Sequence, residues 1–184
     1  MLQVNGQVYA TSSKCTHYGA PLAKGVLTAS GRVVCPWHGA CFNVCHVGDI
    51  EDAPGLDALQ SFRVEMDGDD VYVSTDAEDV SQARKPTFKA KKSREGKGVV
   101  IVGGGAGAAH AVEALREQGY DGSVTVISKE PYLPIDRTKL SKALMTDPSK
   151  LAWRSKDFYD GLDVRFLLGE VRSHGGGGVN ARES

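Results

Sequence analysis

The chain has 184 residues, of which 41% are hydrophobic and 24% are charged, and its formal net charge is −1. This balance gives no reason to expect binding to nucleic acid or to an anionic membrane. The longest purely aliphatic run, residues 99–102, is far too short to span a bilayer. Four cysteines at positions 15, 35, 41 and 45 are too few for a secreted disulfide framework, so we expect a reducing compartment.

The N-terminal sequence Met1-Leu2-Gln3-Val4-Asn5-Gly6 has neither a basic segment nor an apolar segment of the kind that leaders carry. We therefore expect a soluble protein with no visible targeting signal and no membrane span, and its compartment, cytoplasmic or mitochondrial, stays open.

Residues 1–77 predict a small all-β domain of short strands separated by turns. Asn5-Gly6 lies between apolar residues, a pattern typical of a type I′ hairpin. Asp67-Gly68-Asp69 separates two runs in which polar and apolar residues alternate, which predicts a second hairpin.

Two short strings in this domain supply metal ligands: Cys15-Thr16-His17 and Cys35-Pro36-Trp37-His38. Each string offers one thiolate and one imidazole. A two-iron, two-sulfide cluster with two Cys on one iron and two His on the other requires these ligands. One tetrahedral zinc ion with two Cys and two His is the alternative. Zinc fingers usually pair Cys with Cys and His with His, so the mixed strings favour the two-iron cluster.

The segments 15–22 and 35–40 resemble the two ligand boxes of the Rieske family. The resemblance implies that Cys15 and Cys35 bind the buried iron, which stays ferric. It implies that His17 and His38 bind the outer iron, where the electron arrives and leaves. Residues 53–55, Ala-Pro-Gly, resemble the proline loop that covers the cluster in this family.

Departures from the family pattern bear on the redox potential. High-potential members carry an extra disulfide-bonded Cys in each box, and Ala20 and Trp37 stand at those positions here. Ala40 and Phe42 stand where such members have hydroxyl donors. With fewer hydrogen bonds to stabilise the reduced cluster, we predict a potential toward the low end of the Rieske range, roughly −150 mV rather than +300 mV.

Cys41 and Cys45 lie outside both boxes, and we interpret them as small buried or half-buried residues. A role as extra ligands or as a redox-switching pair is the alternative.

Residues 78–97 differ in composition from what precedes them. They contain seven Lys or Arg residues, few acids and almost no large apolar residues. We predict a solvated basic linker between two domains; a basic docking or targeting patch is the alternative.

From residue 98 the pattern predicts an α/β unit. A β-branched strand at 99–102 precedes Gly103-x-Gly105-x-x-Ala108 and a helix, and strands are predicted at 124–127 and 164–168. Glycines in this context let the backbone approach a dinucleotide pyrophosphate at the helix N-terminus. Glu130, near the end of the second strand, is placed to accept a hydrogen bond from a ribose hydroxyl.

Residues 129–142 resemble the flavin-contacting segment of the apoptosis-inducing-factor-like flavoproteins. The resemblance implies that Arg137 binds the FAD pyrophosphate and that Lys142 lies by the isoalloxazine. The type-3 branch of this family joins a Rieske domain to an FAD-dependent reductase in the same order. We therefore expect residues 98–172 to form a partial, Rossmann-like FAD/NAD(P)-binding oxidoreductase domain, and residues 173–184 to form a disordered tail.

The parts that a full reductase needs are not all visible in the sequence. Nothing after residue 168 predicts a second Rossmann unit for NAD(P)H, so we expect a fragment or splice form with a half-built FAD site and no hydride half-reaction.

The leading hypothesis is a Rieske-type electron carrier, fused to part of an FAD-dependent NAD(P)H oxidoreductase, that exchanges electrons with a redox protein or a flavin. Two alternatives remain: a cluster-binding interaction or signalling module without turnover, and a zinc-stabilised structural domain.

Overall fold

The structure, a computed structural model, describes residues 1–86, 98–142, 147–169, 171–174 and 178–181. The chain divides into two compact units with the boundary after residue 87. We call these unit 1 and unit 2.

Unit 1 is built of antiparallel strands, as the alternating pattern of residues 1–77 predicts. Two four-stranded sheets, ordered β1-β2-β8-β9 and β3-β4-β5-β6, are accompanied by the pair β7-β10. The strands in the described residues of this unit are β1 (Leu2–Val4), β2 (Gln7–Thr11), β3 (Val26–Leu27), β4 (Arg32–Val34), β5 (Cys41–Asn43), β6 (Asp49–Asp52), β7 (Ala58–Leu59), β8 (Ser61–Asp67), β9 (Asp70–Ser74) and β10 (Ala83–Arg84). Short 3₁₀ helices occupy Leu22–Lys24 and Asp79–Ser81.

Both predicted hairpins of unit 1 are confirmed. β1 and β2 pair across Asn5-Gly6, whose φ angles of 51° and 82° are those of a type I′ turn. β8 and β9 pair up to Asp67 opposite Asp70, with Gly68 at a φ of 59°.

The core of unit 1 contains both boxes. Phe42, Leu59 and Val44 are among its fully buried side chains, and Cys15 and Cys35 belong to the same apolar cluster. β4 and β5 pair directly on either side of the second box, so the sheet fixes the two ends of that loop.

The predicted linker differs from the structure at its start. β10 (Ala83–Arg84) pairs with β7 (Ala58–Leu59) and belongs to unit 1. The Arg84 guanidinium donates to the carbonyl of Val47 and to the carboxylate of Asp49. The basic composition predicts that this segment is solvated. The fold instead brings the Val47 carbonyl and the Asp49 carboxylate close to Arg84, and these acceptors hold its side chain against the sheet. Residues 87–97 of the predicted linker lie outside the described residues.

Unit 2 begins with a parallel sheet ordered β11-β12-β13, as the βαβ pattern predicts. Helix α1 joins its first two strands, and the first residues of β11, β12 and β13 are in register. The elements of this unit in the described residues are β11 (Val99–Val102), α1 (Ala106–Glu117), β12 (Val124–Ser128), α2 (Lys156–Gly161), β13 (Val164–Leu168), β14 (Val171–His174) and β15 (Gly178–Ala181), with 3₁₀ helices at Arg137–Ser141 and Pro148–Leu151.

One face of α1 covers the sheet. Its buried residues Ala108, Ala109, Val112 and Arg116 follow the spacing of a single helical face. Of these, Ala108 and Val112 pack with Val124, Val126 and Tyr159 in the core of this unit.

The predicted disordered tail also differs from the structure. β14 and β15 form an antiparallel pair, with Val171 opposite Ala181 and His174 opposite Gly178. Backbone pairing needs no particular side chain, which is why the low-complexity composition did not predict it. Residues 175–177 and 182–184 lie outside the described residues.

None of the helices in the described ranges is both long enough and apolar enough to cross a membrane.

Candidate metal centre

The first box is a tight loop held by its own backbone. It follows β2, and the Cys15 N–H donates to the carbonyl of Ala20 over 2.8 Å. The Gly19 N–H donates a hydrogen bond to the carbonyl of Cys15 over 2.9 Å. Gly19 has a φ of 76°, a left-handed conformation that glycine adopts without a steric penalty.

The second box, between β4 and β5, repeats this arrangement. The Cys35 N–H donates to the carbonyl of Ala40 over 2.8 Å, and the Gly39 N–H donates to the carbonyl of Cys35 over 3.2 Å. Gly39 also has a φ of 76°. The two boxes are therefore loops of the same backbone geometry from separate parts of the sequence.

The sequence related Ala20 and Ala40 only to the redox potential, and their part in this repeat was missed. Ala20 and Ala40 are 1% and 0% exposed, and each follows a glycine in the pattern Cys-x-x-x-Gly-Ala. The repeated pattern was the available signal, because a buried position after a left-handed glycine requires a small side chain.

The two thiols lie together inside unit 1. Cys15 and Cys35 are each 4% exposed, and their side chains are within hydrogen-bonding contact. Burial raises the pKa of Cys15, with the Cys35 thiol adding to the effect, against the lowering effect of the His17 and Tyr18 N–H groups.

The two thiols are not equivalent. Burial also raises the pKa of Cys35, but N–H groups of Trp37 and His38 outweigh it, so this pKa lies below its ordinary value. Backbone N–H groups aimed at sulfur stabilise thiolate, the form that binds iron.

The two imidazoles lie together toward the surface. The ring centroids of His17 and His38 are 5.0 Å apart at an interplanar angle of 76°. His17 is half-buried and His38 is exposed. Trp37, beside His38, is 58% exposed.

The loop predicted to cover the site packs on the first box. The Thr16 hydroxyl donates to the carbonyl of Asp57 over 2.7 Å. Gly55 is buried, and a Cβ there would lie 3.2 Å from the Thr16 hydroxyl and 2.6 Å from the tip of Ile50. Glycine therefore allows this loop to approach the box.

The donor set fits a binuclear cluster. A two-iron cluster needs its ligands as two pairs, and the structure brings together a buried thiol pair and an outer imidazole pair.

Cys41 and Cys45 are free thiols, the first buried and the second half-buried. The interpretation of both as small packing residues agrees with these positions.

The predicted nucleotide-binding residues lie at the carboxyl ends of adjacent parallel strands. Gly103, at the end of β11, has a φ of 109°, and Gly105 immediately precedes α1. A Cβ on Gly104 would lie 2.4 Å from the Ser128 hydroxyl at the end of β12. Gly104, which the sequence analysis did not single out, thus allows close contact between the turn and the second strand.

The start of α1 is open and has no side-chain cap in the described residues. Among the described side chains none caps α1 at Gly105, and a Cβ on Gly105 or Gly107 would meet no atom within 4 Å. Ala108 is buried against the sheet, so it supports the turn and does not line the open side.

Two further predicted cofactor residues bind each other. The Arg137 guanidinium donates to the Glu130 carboxylate over 2.6 Å. Lys142 donates through Nζ to the carbonyl of Thr138 over 3.1 Å. The structure thus joins Glu130 and Arg137 directly and holds Lys142 immediately after the short helix that begins at Arg137.

Comparison with known proteins identifies the family of unit 1. The family model described as "Rieske [2Fe-2S] domain" matches residues 1–63. The 3-phenylpropionate/cinnamic acid dioxygenase ferredoxin subunit of Shigella flexneri is 30% identical over 73 residues, which are 40% of this chain and 68% of that protein.

A longer similarity includes residues of both units. Human apoptosis-inducing factor 3 is 42% identical over 173 residues, 91% of this chain. The chain spans 28% of the length of that relative. Among solved structures, the ferredoxin of carbazole 1,9a-dioxygenase from Nocardioides aromaticivorans IC177 is 32% identical, with a TM-score of 0.37 over 39% of this chain and 69% of that one.

The similarity to apoptosis-inducing factor 3 and the match to the Rieske family model confirm the predicted resemblance to the type-3 branch of the apoptosis-inducing-factor-like family. Among the alternatives for the metal, the family match supports the two-iron, two-sulfide cluster over the single zinc ion. The chain belongs to the Rieske [2Fe-2S] family.

Proposed function

We propose that Cys15 and Cys35 bind one iron of the cluster and that His17 and His38 bind the other. The cluster supplies one-electron redox chemistry when bound. The buried thiols, each 4% exposed, hold the inner iron away from water. The exposed His38 imidazole and the half-buried His17 imidazole offer a short route between the outer iron and a redox partner.

The observation that carries this proposal is the difference in burial between the two ligand pairs. A zinc site or a purely structural site would have no need of two imidazoles at the surface. An electron carrier has such a need, because its redox centre must come close to its partner.

The ligand assignment is tested by anaerobic reconstitution of the full chain. We expect about two iron and two sulfide per chain and a Rieske-type EPR signal after reduction. Replacement of either proposed thiol, by Cys15→Ser or Cys35→Ser, should abolish the signal.

The chain offers matched controls in its other two cysteines. Cys41→Ser and Cys45→Ser should retain the cluster, because neither side chain belongs to the proposed ligand set. The assignment would be contradicted if Cys15→Ser retained the EPR signal. It would also be contradicted if the two control variants lost the signal while Cys15→Ser and Cys35→Ser kept it.

The proposed electron partner approaches over Trp37 and His38. The similar Shigella protein is by name the ferredoxin subunit of a dioxygenase, which supports a redox protein as the partner of this chain. A Trp37→Ala variant should keep the midpoint potential of the cluster and exchange electrons more slowly with a flavoprotein reductase. Unchanged rates would place the contact elsewhere on unit 1.

For unit 2 we propose an FAD half-site. Support comes from the open glycine turn before α1, the neighbouring Glu130 and Arg137, and the similarity to apoptosis-inducing factor 3. The pyrophosphate is expected at the start of α1 with Arg137, and the ribose at Glu130. Lys142 is proposed to contact the isoalloxazine.

Fluorescence titration with FAD tests this half-site. The full chain should quench flavin fluorescence, and Arg137→Gln should weaken binding, whereas Arg165→Gln, at an exposed position on β13, should not. Equal binding by both variants, or none by the unaltered chain, would contradict the proposal.

The domain limits follow from these sites. We propose a Rieske domain that extends through β10, beyond the predicted limit at residue 77, and a nucleotide-binding unit that begins at residue 98.

A further inference from the structure

Tyr18 lies directly after the proposed ligand His17 and contacts both imidazoles. Its ring is stacked on the His17 ring, with centroids 3.8 Å apart and an interplanar angle of 16°. It meets the His38 ring edge-on, with centroids 5.6 Å apart at 89°. The two imidazoles meet each other at 5.0 Å and 76°, so the three rings form one closed group.

The orientation of an imidazole ligand is not fixed by its rotamer. The final torsion of a histidine side chain has broad minima, so a neighbour must hold the ring plane. A flat ring parallel to the imidazole at van der Waals distance does this, because rotation of the imidazole would drive its edge into the stacked ring.

We propose that Tyr18 is a positioning residue that holds both histidine ligands in the plane required for cluster binding. The proposal rests on the assignment of His17 and His38 as ligands given above. The face of Tyr18 fixes His17, and the ring of Tyr18 limits the movement of His38 from the side. The aromatic ring, and not its hydroxyl group, supplies this effect.

Trp37 provides the contrasting case within the same site. It also adjoins a ligand, but its ring meets the His38 ring edge-on with centroids 6.4 Å apart at 85°, and it is 58% exposed. Its ring contact is with His38, whereas Tyr18 contacts both imidazoles.

The test compares Tyr18→Leu and Tyr18→Phe in the full, cluster-loaded chain. EPR of the reduced cluster, with pulsed EPR to resolve the nitrogen couplings of the two histidines, reports the orientation of the ligands. Tyr18→Leu should broaden the signal and alter the couplings, and Tyr18→Phe should match the unaltered chain. Removal of iron by a chelator should be about two- to tenfold faster in Tyr18→Leu, the range expected from loss of an aromatic pair.

Two control variants separate this effect from general loss of an aromatic side chain. Trp37→Leu should leave the nitrogen couplings unchanged. Tyr72→Leu removes a tyrosine that is 54% exposed on β9, and should change neither the spectrum nor the rate of iron loss.

The proposal is overturned if Tyr18→Leu has the spectrum and chelation rate of the unaltered chain, or if Tyr18→Phe changes as much as Tyr18→Leu. Should Tyr18→Leu retain no cluster, Tyr18→Met and Tyr18→Phe are compared. Loss in the first with retention in the second supports a requirement for the ring, and loss in both overturns it. Failure of the unaltered chain to give a Rieske-type signal would instead contradict the proposed ligand set.

Discussion

Phe42 is fully buried on β5, and its ring tip points toward Gly55 of the proline loop. Its ring tip therefore lies beside the loop packed over the first box. Together with Ala40, which is 0% exposed, it leaves this side of the site apolar. This agrees with a potential at the low end of the Rieske range.

Phe42→Tyr should raise the midpoint potential of the cluster by about 40–60 mV. A hydrogen bond that favours the reduced form by about 1 kcal/mol gives a shift of this size for a one-electron couple. Redox titration followed by EPR measures it. Phe158→Tyr, in unit 2, is the control and should leave the potential unchanged. An unchanged potential in Phe42→Tyr would mean that its hydroxyl group does not reach the sulfurs, and would contradict the prediction.

Thr16 ties the first box to the proline loop through its 2.7 Å hydrogen bond to the carbonyl of Asp57. Thr16→Val keeps the shape of the side chain and removes the hydroxyl group that donates to the Asp57 carbonyl. We expect a loss of about 1 kcal/mol, seen as roughly fivefold faster cluster loss to a chelator. Thr16→Ser retains the donor and should behave as the unaltered chain does; equal rates in all three proteins would refute this role.

The carboxylate of Glu51 connects three consecutive strands around the second box. It lies on β6, accepts from Asn43 of β5 over 2.8 Å, and pairs with Arg32 of β4 over 2.5 Å. The Asn43 hydrogen bond and the Arg32 charge hold the pKa of Glu51 below its ordinary value of 4.5. The strands on both sides of the box are therefore joined by one ionised group.

Because the folded-state pKa of Glu51 is lowered, its contribution to stability is present above the unfolded-state pKa. This contribution is lost as the pH falls through the folded-state value. Denaturant unfolding of the unaltered chain should therefore show a fall in unit 1 stability below about pH 4.5, and Glu51→Gln should reduce that pH dependence. Glu65→Gln, at an exposed position on β8, is the control. Identical pH profiles for the unaltered chain and Glu51→Gln would count against the prediction.

Arg116 plays a part in unit 2 like that of Glu51 in unit 1. Its buried guanidinium joins elements that are distant in sequence. It is 4% exposed and donates to the carbonyls of Leu162, Tyr120, Gly122 and Asp163 over 2.7–3.2 Å. Located near the end of α1, its positive charge also faces the negative end of the helix dipole. One side chain thus joins α1, the loop before β12 and the loop before β13.

Arg116→Met should lower the stability of unit 2 by about 2–4 kcal/mol, because several buried carbonyls lose their donor. The chain has two tryptophans, one in each unit, so urea unfolding followed by Trp153 fluorescence in a Trp37→Phe background reports unit 2 alone. Arg165→Met, at an exposed site, should cost little. A Trp153 transition unmoved by Arg116→Met would show that the carbonyls find other donors.

Over the whole chain, charge is unevenly distributed although the net value is −1. Residues 1–86 contain six Lys or Arg against eleven Asp or Glu, and residues 98–184 contain eleven of each. Residues 87–97 contain five basic residues and one acidic residue. The unit that carries the proposed cluster is therefore the acidic part of the molecule.

Electron exchange with the reduced cluster should follow the charge of unit 1 and not that of the whole chain. The rate with a cationic oxidant, such as hexaammineruthenium, should fall as salt rises from about 0.01 M to about 1 M. The rate with anionic ferricyanide should rise over the same range. Stopped-flow oxidation measures both, and slopes of the same sign for the two reagents would contradict the prediction.

Residue types and spacing alone predicted the candidate ligand strings and seven of the fifteen strands in the described residues. The ligand strings are local, since each places a thiol and an imidazole within four residues, and the hairpin and glycine-turn signals are local as well. For this reason the Rieske domain, the two hairpins and the βαβ pattern of unit 2 could be predicted from residue types and spacing.

Tertiary structure decided the features that depend on residues far apart in sequence. Three such features depend on the folded chain. Cys15 and Cys35 are buried whereas His38 is exposed. β10 pairs with β7, and Tyr18 contacts both imidazoles. The pairing of Glu130 with Arg137 likewise depends on how the intervening loop returns. Spacing along a chain specifies which groups are available, and only packing specifies which of them face water and which face each other.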